Sequence, residues 1–156
     1  MAIRRILREE DGTLRKKSRD ITVFDKRLHQ LLDDMAETMQ HANGVGLAAV
    51  QVGVLRRAVI VDVGEGVIEM VNPKITARSE ETVCDTEGCL SYPGIYGMVE
   101  RPKSVTVEAQ DRRGNLFAVS GEELKARALC HEIDHLDGVV FKDLAREILD
   151  GDDEQE

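Results

Sequence analysis

The clearest patterning lies near the start of the chain, in TVFDKRLHQLLDDMAETMQHANG, where Leu28, Leu31, Leu32, Met35 and Met39 recur at helical spacing. Those offsets place them on one face of an α-helix, with charged residues on the other. Thr22 and Asp25 are spaced as a capping box at its start, and Asn43-Gly44 closes it. The period then changes. RRAVIVDV, GVIEMVNPKI, SVTVEAQ and NLFAVS are short, rich in β-branched residues and bounded by turn residues, which predicts strands. DRRGN between the last two predicts a hairpin turn. Helical spacing returns in EELKARALCHEIDHLD, with Ser120 and Glu123 as a second capping box and Gly138 as the C-terminal cap. Strands gathered between two helices, rather than alternating with them, predict an α+β fold over a βαβ one. No internal repeat or long linker divides the chain, so one domain is expected over residues 1–147, followed by an acidic tail over 148–156.

Composition narrows the class. A chain of 156 residues builds a core without disulfides, and with no Trp and 3% aromatics that core is made of Leu, Ile, Val, Met and Ala. No apolar run approaches the roughly 18 residues of a membrane span. The opening MAIRRILREE has no apolar stretch after its arginines. The expected location is therefore the cytoplasm, with no membrane partner. A net charge of −9, with DGDDEQE at the end, disfavours direct binding to nucleic acid, and the tail is expected to be a solvated, frayed end. Three cysteines without a secretion signal suggest metal binding or a buried thiol rather than a disulfide framework.

The candidate chemistry is in RALCHEIDHLDG. On a helix, His131 and His135 stand one turn apart on one face, where two imidazoles can hold one metal ion, and Glu132 beside them can move a proton. The third ligand must come from elsewhere. Cys130 is about 100° round the helix from His131 and poorly aimed, so it reads as a core thiol. Cys84 and Cys89 together would complete a closed structural zinc site with the histidines. That leaves Glu132 without a role, and the gap from Cys89 to His131 far exceeds the roughly 12 residues of a compact finger. Cys89 alone, with an open fourth position for water, is the preferred reading. A zincin-type endopeptidase is the other enzymatic possibility, but only Asp137 and Asp143 follow as downstream ligands, and both are poor substitutes.

GVGLAAVQVG at 44–53, EGCLS at 87–91 and HEIDH at 131–135 together resemble the three signature motifs of peptide deformylases, in that family's order and approximate spacing. ILREEDGTLRKKS is similar to the family's opening segment, and the resemblance reaches about VVFKDL. It implies small antiparallel or mixed sheets around a central metal-binding helix, with an N-terminal helix. It also implies a divalent ion on Cys89, His131 and His135, iron(II) in cells, with zinc, nickel or cobalt also suited to such donors. The implied reaction removes the formyl group from N-formylmethionine of nascent chains. Water activated by the metal attacks, Glu132 acts as general base and acid, and the Gln51 amide and Leu90 N–H stabilise the oxyanion.

Substrate is implied to pair with backbone at Val45, Gly46 and Gly88. Gly44 and Gly46 let backbone approach a ligand closely, and the resemblance implies that Val45, Leu90, Leu124 and Ala128 surround the methionine side chain. Arg127 falls on that same stretch, where its stem is expected to line the pocket and its head to reach water. Glu87 and Arg101 are expected to pair, and Asp134 to orient a ligand histidine or bind nearby backbone. Some family members dock on the ribosome through a basic C-terminal helix; EILDGDDEQE is acidic and short, which points away from that route.

Overall fold

A computed structural model describes residues 2–150. Helix α1 spans Lys26–His41 and buries Leu28, Leu31, Leu32, Met35 and Met39, as their spacing predicts. Its start differs in detail from the expected capping box. Asp25 is itself the cap, accepting from the Leu28 N–H at 3.1 Å, with Thr22 outside the motif. At the other end Asn43 takes φ +58°, its N–H reaching the Gln40 carbonyl and that of Gly44 the Met39 carbonyl. This is a Schellman closure with Asn in the left-handed position.

Among the described residues eight strands follow, β1 Gly46–Ala48, β2 Ala58–Val61, β3 Ile68–Arg78, β4 Thr82–Gly88, β5 Ile95–Pro102, β6 Ser104–Gln110, β7 Leu116–Glu122 and β8 Glu147–Asp150. They form a five-stranded sheet ordered β1-β2-β3-β6-β7 and a three-stranded sheet ordered β4-β5-β8. Every pairing between these strands is antiparallel. The predicted DRRGN turn joins β6 to β7, held by Asp111 Oδ1 accepting from the Arg113 and Asn115 N–H groups. β4 escaped prediction because it is an edge strand whose residues are mostly exposed, so no apolar alternation marks it. β5 escaped it because Gly97 and Arg101 occupy buried positions on either side of Val99 and break the apolar pattern. β8 carries the chain past residue 147 by pairing Ile148 to Asp150 with β5. The rest of the expected acidic tail lies outside the described residues.

Helix α2, Leu124–Leu136, and the short α3, Phe141–Leu144, complete the fold. Ser120 does not cap α2. It stays in β7 opposite Thr106, with their hydroxyls 2.9 Å apart, because sheet pairing continues to Glu122. The residue left at the helix entrance is Glu123, at φ +56° and without a side-chain cap. The exit is as expected: Gly138 at φ +76° donates to the His135 carbonyl, and the Val139 N–H to that of Asp134.

The five-stranded sheet lies between the helices, which is why β2 reads as an unbroken apolar run. Ala58 and Ile60 pack with α1, while Val59 and Val61 pack with Leu129, Cys130, Ile133 and Leu136 of α2. Cys130 thus faces the core, as its angular position predicts. A third cluster of Leu14, Tyr92, Val99, Val140 and Phe141 underlies the small sheet.

A Cβ on Gly138 would overlap the Arg15 carbonyl as well as strain the backbone. Gly138→Ala is therefore expected to cost about 1–3 kcal/mol, read as a lower urea midpoint at unchanged slope. An unchanged midpoint would show that the cap relaxes without cost.

Candidate metal centre

The site forms where the end of β4 meets α2. Cys89 is the residue after β4, and its Sγ lies 3.3 Å from His135 Nε2. Ligand atoms of Cys89, His131 and His135 all lie within 4.8 Å of one another, with both imidazoles buried. Bonds of about 2.0–2.1 Å to nitrogen and 2.3 Å to sulfur give a tetrahedral site an edge of roughly 3.5 Å. Two imidazole nitrogens and a thiol at this spacing therefore fit a divalent ion such as zinc or iron(II). Cys84 is exposed on β4 and outside the group, which removes the closed four-ligand alternative. Asp137 and Asp143 are engaged elsewhere, with Arg57 and Arg15.

Glu87 determines how His131 presents itself. Its Oε2 accepts from His131 Nδ1 at 2.7 Å, leaving the Nε2 lone pair of that ring for a ligand. The expected pair with Arg101 is present and bidentate, at 3.0 and 2.6 Å. Burial alone would raise the Glu87 carboxyl, but the hydrogen bonds from His131 and Arg101 outweigh it and hold it at about 2. Asp134 departs from expectation. It accepts from Arg101 Nη1 at 2.6 Å, and among the described residues its carboxylate makes no hydrogen bond to a histidine or to backbone, because its position on α2 turns it toward β5. Arg127 departs further: its guanidinium is buried and bonded to Glu87 and to backbone carbonyls rather than reaching water.

Glu132 is buried, and its Oε1 has no hydrogen-bond partner among the described residues. Burial pushes its carboxyl up to about 7. Its Oε2 lies against Gly46, where even a Cβ would collide with it. Glycine is what allows β1 to run this close to the acid.

Gln51 sits in a single 3-10 turn, Ala49–Val52, at 1% exposure. Its Oε1 accepts from the Ala48 N–H at 2.9 Å, which fixes the orientation of the amide. Nε2 is consequently aimed into the site, 3.4 Å from Cys89 Sγ and 3.1 Å from Ser91 Oγ. Gln51 thus satisfies buried backbone and presents a donor at once. Two supports were not foreseen: the buried Ser91, and Leu7, whose N–H donates to the Gln51 carbonyl at 2.7 Å. Ser91 falls inside the EGCLS motif and was open to notice there. Nothing in the sequence links Leu7 to Gln51.

The remaining predicted residues border a cavity of about 460 Å³ beside these groups. Gly44, Val45 and Gly46 lie along one side of it and Gly88 and Leu90 along another. Leu124 and Ala128 of α2 contribute as well, the first exposed and the second buried. Among the described residues β1 and β4 each pair on one side only, which leaves each with an open strand edge.

The polypeptide deformylase family profile matches residues 3–149. A peptide deformylase of Caldicellulosiruptor bescii is 60% identical over 92% of this chain and 86% of its own length. One of Acetivibrio thermocellus is 54% identical over 98% of this chain and 89% of its own. The crystal structure of peptide deformylase from Thermotoga maritima superposes with a TM-score of 0.91 at 40% identity, covering 94% of this chain and 100% of that one. With fold, metal-ligand group and near full-length similarity in agreement, the chain belongs to the peptide deformylase family, metal-dependent enzymes that remove the formyl group from N-formylmethionine of nascent polypeptides.

Proposed function

We propose that Cys89, His131 and His135 hold one divalent ion and that Glu132, Gln51 and Leu90 carry out the hydrolysis around it. The observation that carries this reading is the meeting of the Cys89 thiol with two buried imidazoles beside a buried carboxylate that has an unpartnered oxygen. A divalent ion on such donors supplies Lewis acidity and brings the ionisation of water toward neutrality, from a pKa of 15.7 to about 7.

Glu132 takes the proton as water oxygen bonds to the formyl carbon. The carbon–nitrogen bond then breaks, and Glu132 returns the proton to the departing amine nitrogen, leaving formate and a free N-terminal methionine. A carboxyl at about 7 is suited to both accepting and donating near neutral pH. The negative charge that develops on the formyl oxygen is met by Gln51 Nε2 and the Leu90 N–H. Ala48 and Ser91 hold the amide so that little reorganisation is needed when that charge appears. The substrate backbone lies extended along the open edges at Val45, Gly46 and Gly88, and the methionine side chain occupies the cavity between Leu90, Leu124 and Ala128.

The catalytic unit is one domain running through β8. It works in the cytoplasm, and its resident metal is iron(II). Contact with the ribosome is transient and is not made through EILDGDDEQE, which is acidic. Protein prepared without oxygen should release formate from formyl-Met-Ala-Ser in proportion to bound iron and leave internal peptide bonds intact. Cleavage of an unformylated peptide instead would overturn the reading. Gln51→Leu is expected to lower kcat about 10²–10³-fold, the usual effect of losing one oxyanion donor, with metal content retained. Equal losses of metal and turnover would assign Gln51 a purely structural part.

A further inference from the structure

The three ligand-bearing residues come from two separate bodies. His131 and His135 ride on α2, which packs on the five-stranded sheet, whereas Cys89 follows β4 of the small sheet. Their spacing therefore depends on how firmly α2 is fastened to the β4–β5 hairpin. Arg127 stands one turn before His131, and among the described residues the acceptors of its guanidinium lie on that hairpin. Nη1 donates to Glu87 Oε1 at 3.1 Å and to the Val99 carbonyl at 2.8 Å. Nη2 donates to the Val83 carbonyl at 2.8 Å.

Resting on the metal reading above, we infer that Arg127 is a positioning residue for the metal centre, gripping the Cys89-bearing hairpin from the histidine-bearing helix and holding Glu87 against His131. A guanidinium suits the task because its donors form a rigid planar fork that reaches several acceptors at once. Arg101 makes the complementary link, from the hairpin to Asp134 of α2. The two arginines face two carboxylates, Glu87 and Asp134, so the cluster carries no net charge. Without Arg127 two carbonyls each lose a donor, Glu87 loses one of its bonds, and the cluster gains a net negative charge beside the ligands.

The experiment compares wild type, Arg127→Met and Arg127→Lys by chelator competition for zinc, by the absorption of the cobalt(II) forms, and by kinetics at saturating metal. Methionine retains an unbranched stem but no donors. Zinc affinity of Arg127→Met should fall about 10–100-fold, the usual cost of removing a group that orients a ligand. Its cobalt spectrum should change, and kcat should fall while KM stays within about threefold. Lysine, which keeps the charge but not the fork, should be intermediate in affinity. A raised KM with wild-type zinc affinity and cobalt spectrum would overturn the inference and make Arg127 a pocket residue; so would a variant that merely melts earlier. If Arg127→Met does not fold, Arg127→Lys decides, wild-type affinity overturning the inference and weakened affinity supporting it. Wild type that binds no stoichiometric metal would overturn the underlying metal reading as well.

Discussion

Glu132→Ala should leave one metal per chain in place while kcat falls by about 10²–10⁴, the range over which a positioned general base contributes. The reason is a division of labour along one helix turn. His131 and His135 belong to the ligand group and Glu132 does not, so its loss leaves the donors untouched. On the proposed mechanism, what is lost is the acceptor for the proton of water and its delivery to the leaving nitrogen. Glu132→Gln isolates this further, since it keeps the volume and removes only the basicity. A buried carboxylate with an unpartnered oxygen is a costly group to keep in a folded protein. Glu132→Gln should therefore be no less stable than the wild type in thermal or urea unfolding. Metal-replete Glu132→Ala with turnover within about tenfold of wild type would remove the carboxylate from the mechanism.

Cys89→Ala carries the other large effect. Removing a group that merely orients a ligand costs about 10–100-fold in metal affinity, so removing a thiolate ligand itself should exceed about 100-fold. Metal content and activity should fall together. The contrast is Cys84→Ser, a change at an exposed position of β4 outside the ligand group, which should leave both unchanged. The fold should survive in both variants, because the apolar clusters between the sheet and the helices do not depend on the centre. Chelation is likewise expected to lower the melting temperature by the lost binding free energy without unfolding the chain. Stoichiometric metal in Cys89→Ala, or unfolding by chelator, would point to a different ligand set and to a structural role for the ion.

Sequence pattern went furthest where a residue's role depends on its near neighbours. The apolar offsets of α1 and the left-handed closures at Asn43 and Gly138 are local in origin, and each was read from a dozen residues or fewer. The same holds for the one-turn spacing that puts His131 and His135 together and turns Cys130 into the core. The motif resemblance extended this to Cys89, Gln51 and Leu90, with the chain itself silent on distances.

Local signals misled where sheet pairing competed with them. Ser120 has the chemistry of a cap, yet it remains in a strand because its neighbours are paired with β6. β4 went unseen because an exposed edge strand buries too little to leave an apolar alternation.

What remained for the tertiary structure was every contact between residues far apart in the chain. Nothing near Arg127 or Asp134 indicates that one would bond carbonyls of β4 and β5 and the other Arg101, nor that Leu7 would brace Gln51. Side-chain orientation at such positions is set by which polar groups are buried opposite them, and burial depends on how sheets and helices pack as a whole. Residue types and their spacing along the chain, with the family resemblance, thus pointed to the candidate chemistry, because ligation and proton transfer depend on functional groups. Only packing could decide how those groups are held, because a buried donor must meet whatever acceptor the fold brings to it.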